Sequence, residues 1–166
     1  MVTTTALDVA ARVRDPELPV LTLADLGVLR EVTEHGDGRV TVTITPTYSG
    51  CPALDEMAAD LRRSLLAAGY AAVDVRLSLS PAWTTDWISE DGLRKLREAG
   101  IAPPARLGPR AVGPVPLNLT PPSRRVPCPR CGSSRTAEVS RFGSTACKAL
   151  RRCADCAEPF EHVKEI

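Results

Sequence analysis

Two periodicities alternate along the first hundred residues of the chain. Residues 28–34 and 39–45 alternate apolar with polar side chains, as half-buried strands do, and His35-Gly36-Asp37-Gly38 between them is a hairpin turn signal. Residues 53–68 carry apolar side chains at helical spacing, and residues 73–79 alternate again. The pattern therefore predicts a hairpin, a crossover helix and a third strand.

Helices are also predicted on either side of this core. Thr5-Ala6-Leu7-Asp8 resembles a capping box and opens a helix to about residue 14, which Asp15-Pro16 ends. Ser89 caps a last helix that runs to residue 99. The order α-β-β-α-β-α predicts an α+β fold, a small mixed three-stranded sheet with helices on one face. The apolar side chains that carry these periodicities are Leu7, Ala10, Val40, Val42, Ile44, Leu54, Met57, Ala58, Leu61, Leu65, Val73, Val75, Leu77 and Leu79.

Composition narrows the functional classes. The chain has 166 residues and a net charge of +1, which argues against a general nucleic-acid or anionic-membrane binder. The sign is uneven, because residues 1–101 hold 10 basic against 15 acidic side chains and residues 124–166 hold 9 against 5. No apolar run approaches the ~20 residues of a membrane helix. The first residues lack a secretory signal, so we expect a cytoplasmic protein.

A proline-rich stretch separates two parts of the chain. Eight prolines fall between residues 103 and 127, and apolar periodicity is weak there, which is typical of a semi-rigid, extended linker. We therefore predict a first domain over residues 1–101, a linker over residues 102–126 and a small last domain over residues 127–166.

Four of the six cysteines of the chain have metal-ligand spacing. Cys128-Pro-Arg-Cys131 and Cys153-Ala-Asp-Cys156 are two C-x-x-C knuckles separated by 21 residues. Such a pair places four thiolates around one Zn²⁺, and a closed Cys₄ site of this kind is structural. Short strands predicted between and after the knuckles complete a zinc ribbon. Four cysteines also ligate a single iron or an iron–sulfur cluster, so these alternatives stay open at this point.

Two cysteines lie outside the quartet. Cys51 ends the loop of residues 45–52, at the start of a predicted helix, where unpaired N–H groups favour a thiolate. A thiolate there serves as a metal ligand, a nucleophile or a redox sensor, and a packed cysteine is the alternative. Cys147 is followed by Lys148, which favours a thiolate, but packing in a ribbon hairpin is the simpler interpretation. His162 is predicted to lie on a strand surface.

Several motifs carry a resemblance to a known family. Asp15-Pro16-Glu17-Leu18-Pro19, Asp25-Leu26-Gly27 and the loop of residues 45–52 resemble the MIP18-type (DUF59) iron–sulfur assembly domain. The stretch Pro81-Ala82-Trp83-Thr84-Thr85-Asp86-Trp87-Ile88, the Cys₄ ribbon and residues 142–150 narrow the resemblance to the D-type subunit family of the phenylacetyl-CoA (ring 1,2-) epoxidases.

This resemblance implies an accessory or maturation factor for a multicomponent di-iron oxygenase of phenylacetate catabolism, and not an enzyme. The implied partners are the reductase, the di-iron oxygenase and other cluster-assembly proteins. Cys51 matches the candidate cluster-handling thiol of the wider family, and Asp15 and Glu17 match the acidic motif beside it. The implied cofactors are a structural zinc and a transient iron–sulfur cluster or iron.

Three hypotheses follow for Cys51. As a transient cluster ligand, it would sit in a pocket lined by Thr47, Tyr48 and Ser49, and a homodimer that shares the site would add a second thiolate. Trp83 and Trp87 would then cover the pocket or form a partner surface, or else belong to the core. In the second hypothesis the chain is a structural adaptor and Cys51 is packing. A thiol enzyme ranks last, because no base has suitable spacing.

Overall fold

The computed structural model describes residues 4–48, 50–108 and 125–166. The chain divides into two compact units, one reaching Lys95 and including Ile166, the other spanning Leu96–Glu165. Most of the predicted linker lies outside the described residues, as do Ser49 and the first three residues. The domain bounds given above therefore stay a prediction.

The first unit contains the predicted sheet. Its strands lie in the order β1-β2-β3, with β1 antiparallel and β3 parallel to the central β2. This topology is the one that a hairpin followed by a crossover helix predicts, and the α+β fold is confirmed. The elements are α1 (Ala6–Ala10), β1 (Leu29–Glu34), β2 (Arg39–Ile44), α2 (Leu54–Ala67), β3 (Ala72–Leu77), a short 3₁₀ helix (Thr85–Trp87) and α3 (Glu90–Glu98), whose last residues belong to the second unit.

The core of the first unit lies between the sheet and its helices. Val40, Val42 and Ile44 of β2 are buried on one face, and α2 turns Met57, Leu61 and Leu65 toward the core. The central strand alternates as predicted, because its side chains point in turn to the covered and the open face. The helix α2 begins and ends within one residue of its predicted bounds.

Two predictions about element ends are wrong. The helix α1 has the capping box at Thr5, but it stops at Ala10, because Arg14 bridges to Thr22 in extended backbone ahead of Pro16. Its buried positions are Ala6 and Ala10, while Leu7 is exposed.

The other error concerns the third strand. The alternation predicts a strand through Leu79, but β3 ends at Leu77, and Leu77 and Leu79 are 53% and 59% exposed, while Val73 and Val75 are half-buried. The described residues therefore leave the carboxyl end of this edge strand uncovered.

The second unit contains a three-stranded antiparallel sheet. Its strands are β4 (Thr136–Ser140), β5 (Lys148–Cys153) and β6 (Pro159–Val163), in that order. They occur where the ribbon prediction placed them. Ala102 forms a parallel bridge with His162 of β6 and joins a buried cluster, whose members are Ala102, Val126, Cys128, Cys153 and Phe160. Among the described residues, no helix is long and apolar enough to cross a membrane.

Candidate functional site

The four knuckle cysteines converge on one point of the second unit. The sulfur atoms of Cys128, Cys131, Cys153 and Cys156 all lie within 4.8 Å of one another. The Cys128–Cys156 and Cys131–Cys153 sulfur pairs are 3.7 and 3.6 Å apart. Four ligands about 2.3 Å from a tetrahedral Zn²⁺ would be about 3.8 Å apart, so the spacing fits one ion. A multi-iron cluster would hold the cysteine sulfurs further apart.

Local backbone geometry forms each knuckle. In the first, the N–H of Gly132 donates to the carbonyl of Cys128 at 2.9 Å, and Gly132 has a φ of 74°, which glycine adopts without strain. In the second, the N–H of Asp155 donates to the sulfur of Cys153 at 3.4 Å. These turns aim two sulfurs from each knuckle at the same point.

Two ion pairs and a serine hydrogen bond connect the segments of the two knuckles. Arg130 of the first knuckle contacts Glu158, just beyond the second, at 2.7 Å. Ser133 and Arg135 both bond to Asp155 inside the second knuckle. These contacts are exposed and each adds little stability, but they hold the two turns in register.

The pKa values of two of the four knuckle thiols are shifted in opposite directions. The backbone N–H of Ser133 favours the thiolate of Cys131, but its bonds with the other three sulfurs and burial raise the pKa of Cys131 to about 12. The backbone N–H of Cys156 lowers the pKa of Cys153. A divalent ion at the centre of the four sulfurs would stabilise all of them as thiolates. The quartet is a metal-binding site.

Cys51 lies in a turn of the first unit and is not part of the quartet. It is 8% exposed, its N–H donates to the carbonyl of Tyr48 at 3.3 Å, and its own carbonyl accepts from Leu54 at 3.4 Å. The helix α2 begins at Leu54, three residues later, and its first turn carries Asp55 and Glu56. Those carboxylates offset part of the positive potential at the helix start.

The acidic motif forms a tight turn of its own. Asp15 is buried, and its Oδ1 accepts hydrogen bonds from the N–H groups of Glu17 at 2.9 Å and Leu18 at 2.7 Å. Its own N–H donates to the carbonyl of Leu21 at 3.0 Å. The Asp15 carboxylate therefore has a clear structural task, while the Glu17 side chain is half-buried.

Backbone hydrogen bonds connect this turn to the loop of Cys51. Leu23 donates to Val13, Val28 donates to Leu23, and Thr45 at the end of β2 donates to Val28, at distances of 2.9, 3.0 and 2.9 Å. Thr45 is buried, whereas Thr47 and Tyr48 are half-buried. The structure thus places the two motifs on one hydrogen-bonded frame, and the roles predicted for Cys51, Asp15, Glu17 and Thr47 stay predictions.

The tryptophan loop holds the Asp25-Leu26-Gly27 motif. Trp83 is 5% exposed, and its Nε1 donates to the carbonyl of Leu26 at 2.8 Å. A side chain at Gly27 would collide with Trp87, whose half-buried ring lies 3.8 Å from the Arg30 guanidinium. The core alternative therefore fits Trp83, and the role of Trp87 as a partner surface stays a prediction.

One buried ion pair escaped the sequence reasoning. Asp25 is nearly buried, and its carboxylate contacts Lys95 of α3 at 2.8 Å and the N–H of Thr22 at 2.9 Å. Burial raises the pKa of Asp25, but Lys95 and Thr22 lower it by more. The Asp25-Leu26-Gly27 motif drew attention to Asp25 in the sequence, but its partner Lys95 lies 70 residues later and no local pattern indicates it.

The uncertain thiol Cys147 is buried in the ribbon. Its sulfur lies 3.1 Å from the Thr145 hydroxyl. The Lys148 ammonium, which the sequence placed beside Cys147, instead pairs with Glu161 at 2.9 Å and is itself buried. These contacts fit the packing interpretation.

The prediction for His162 is wrong. It is buried rather than on a surface, because the segment at Ala102 lies along β6 and covers it.

Comparisons with known proteins decide the family. A model described as an iron-sulfur cluster assembly protein matches residues 4–77, and a model of the PaaD zinc beta ribbon domain matches residues 113–164. The D-type subunit of a candidate 1,2-phenylacetyl-CoA epoxidase from Escherichia coli K12 is 48% identical over 94% of this chain and 88% of its own. The chain belongs to the family of D-type subunits of 1,2-phenylacetyl-CoA epoxidases. The resemblance inferred from the sequence is confirmed.

Two further proteins are similar to about half of this chain. An Fe-S protein maturation auxiliary factor of Porphyromonas gingivalis is 39% identical over 51% of this chain and 80% of its own. A crystal structure of a DUF59 domain from Bacillus anthracis aligns with 24% identity and a TM-score of 0.49, over 55% of this chain and 86% of that one.

Proposed function

We propose that this chain is a non-catalytic accessory subunit that assists the assembly of an iron–sulfur cluster or di-iron centre in a phenylacetyl-CoA epoxidase, in the cytoplasm. The recipient is the reductase or the oxygenase component. One observation carries the proposal: a chain 48% identical to the D-type component of an epoxidase joins an iron–sulfur assembly domain to a ribbon with its own metal-binding quartet.

In this proposal the cysteine quartet has a structural role and Cys51 handles the cargo. Cys128, Cys131, Cys153 and Cys156 would hold one Zn²⁺, which supplies folding free energy to a unit with a small core and leaves no open coordination position. Of the two other cysteines, Cys147 is packed in the ribbon against Thr145, so Cys51 is the thiol that we assign to cargo. One thiolate is too few ligands to keep a cluster, which suits a loop that receives iron or a cluster and passes it on.

The surroundings of Cys51 support a transient role. Thr47 and Tyr48 beside it are half-buried, so the loop is not sealed inside the core. The Asp15 turn and the hydrogen bonds from Thr45 to Val28 fix the base of the loop on the sheet. Because Cys51 itself is buried, the loop would have to open to a partner, and the firm base would let it do so without loss of the fold.

An adaptor role is the alternative, and one feature of the ribbon favours it. Val139 of β4 and Phe142 just after it are 61% and 66% exposed. Two large apolar side chains near one hairpin end are typical of a docking surface. In this alternative the ribbon binds another epoxidase component and Cys51 contributes only packing.

Reconstitution of the epoxidase with variants of this chain tests the proposal. We expect Cys51→Ala to lower the iron and sulfide content of the recipient and the epoxidase activity. Cys147→Ala is the matched control, because it removes an equally buried cysteine from the other unit. Normal metal content and activity with Cys51→Ala would reject the assembly role. Loss of co-purification on Val139→Ser and Phe142→Ser, with Cys51→Ala neutral, would establish the adaptor.

A further inference from the structure

The strand β3 is an open edge of the first sheet. It pairs with β2 on one side, and among the described residues no strand pairs with its other side. Ser78, just past the strand, donates its N–H to Ile44 of β2 at 2.9 Å. In a strand the N–H and C=O groups of successive residues point alternately to its two edges. The backbone groups of Asp74 and Arg76 therefore point toward β2, as that of Ser78 does. The N–H and C=O groups of Val73, Val75 and Leu77 therefore face outward.

Side chains along β3 divide between the two faces of the sheet. Val73, Val75 and Leu77 lie in register with Val40, Val42 and Ile44, so they share the apolar, helix-covered face. Leu77 at the end is left exposed. Asp74 and Arg76 point to the open face, where they form an exposed ion pair at 2.7 Å.

We propose that two copies of this chain pair through antiparallel β3 edges, with the two-fold axis at Val75. In this register Val75 lies opposite Val75 of the second copy. Val73 of each copy lies opposite Leu77 of the other. These are the residues whose backbone groups point outward, so each pair exchanges two hydrogen bonds. The exposed Leu77 is then covered by an apolar side chain of the other copy.

The charges on the open face select this register. Asp74 lies opposite Arg76 of the second copy, and Arg76 lies opposite its Asp74, at the closely spaced, non-hydrogen-bonded positions. Sliding one copy by two residues keeps the hydrogen-bonding groups matched. It then places Asp74 opposite Asp74 or Arg76 opposite Arg76, and like charges directly opposite are destabilising. A strand that complements itself in this way fits an isologous interface.

The interface does not depend on the proposed function. The Cys51 loop follows the carboxyl end of β2, which runs parallel to β3. Antiparallel edges therefore place the two Cys51 loops at opposite ends of the joined sheet. Each copy keeps its own thiol site, and the pairing differs from a dimer that shares one cluster between two Cys51 residues.

Charge reversal tests the interface in the full chain with its metal bound. We expect sedimentation equilibrium to give a dimer for the wild type. Asp74→Arg and Arg76→Asp should each raise the dimer dissociation constant roughly tenfold or more, because each makes both cross-strand pairs repulsive. The double variant Asp74→Arg/Arg76→Asp restores opposite charges and should dimerise again.

Mixing the two single variants is the sharpest test. One copy then presents two arginines and the other two aspartates, so a heterodimer should form from two chains that are monomeric alone. Its formation also shows that both variants fold. Val75→Pro should prevent pairing without disturbing the bond pattern to β2, because the N–H it removes faces outward. A wild type that is monomeric at every concentration, or single variants that stay dimeric or gain nothing on mixing, would overturn the proposal.

Discussion

The indole nitrogen of Trp83 donates a hydrogen bond to the carbonyl oxygen of Leu26, 2.8 Å away and 57 residues earlier in the chain. Both groups are buried, so each satisfies a polar atom that water does not reach. The bond makes the tryptophan loop and the Asp25-Leu26-Gly27 motif one structural feature.

Trp83→Phe should therefore destabilise the first unit. The change leaves the Leu26 carbonyl without its donor and removes part of a buried ring, which together cost about 2–4 kcal/mol. Urea denaturation followed by circular dichroism measures the loss. Trp87→Phe is the control, because its ring is half-buried and mainly covers Arg30, and it should cost less. Equal losses for the two variants would contradict the role assigned to the bond.

Gly27→Ala should destabilise the same feature for a different reason. Gly27 has a φ of 69°, and a Cβ there would lie 2.7 Å from the carbonyl oxygen of Trp87. Left-handed strain and this backbone contact together cost about 2–4 kcal/mol. Gly36→Ala in the hairpin turn is the matched control, since no atom lies within 4 Å of its Cβ position. Thermal denaturation of both variants tests this. Equal melting midpoints for Gly27→Ala and Gly36→Ala would contradict the expectation.

Local patterns predicted the elements of the first unit, and distant contacts explain the errors. The alternation of Val40, Val42 and Ile44 depends only on neighbours along the chain, so it was readable. The end of α1 depends on a bridge between Arg14 and Thr22, which competes with another helical turn. No periodicity reports such a bridge in advance.

The same contrast holds for the candidate sites. The Cys₄ quartet was predictable because C-x-x-C spacing sets the geometry of each knuckle. The exposure of Leu77 was not, because it depends on where β3 lies in the sheet and on where the helix cover ends. The Cys51 loop was found by its motif, whereas the backbone hydrogen bonds that fix its base join residues far apart in the sequence.

Metal removal should unfold the ribbon. The quartet spacing fits one Zn²⁺, and structural zinc sites of this kind supply on the order of 10 kcal/mol of apparent binding free energy. We expect one zinc per chain by elemental analysis. A strong chelator should remove it together with the amide NMR dispersion of β4, β5 and β6. Cys131→Ser should lose the zinc, and Cys147→Ser should retain it. A ribbon that stays folded without metal would refute the structural role.

We expect the Asp15 carboxylate to stabilise the fold through its two hydrogen bonds. Asp15→Ala leaves the N–H groups of Glu17 and Leu18 without their acceptor, which costs about 1–3 kcal/mol. Asp15→Asn keeps an acceptor oxygen, so it should cost less, and Glu17→Gln should cost less than Asp15→Ala because it keeps the N–H that donates to Asp15. Thermal denaturation ranks the three variants. If Asp15→Asn folds normally but fails in reconstitution of the epoxidase, the carboxylate has a further role in cargo handling.

The Asp25–Lys95 pair should make the first unit sensitive to acid. Although burial raises the pKa of Asp25, Lys95 and Thr22 hold it below its ordinary value. A depressed pKa in the folded state means that the stabilisation is fully present above the unfolded value, about 3.9, and is lost as pH falls through the folded value. At neutral pH, Asp25→Asn should cost about 1–3 kcal/mol, because it leaves the Lys95 ammonium partly unpaired.

The difference between wild type and Asp25→Asn should therefore shrink as the pH falls below about 4. Urea midpoints of the first unit, measured from pH 7 down to pH 3, test this. Asp91→Asn is the matched control: Asp91 also contacts Lys95, at 2.9 Å, but it is exposed, and its loss should have a smaller effect. A difference that stays constant with pH would show that the Asp25 carboxylate acts through packing rather than through its charge.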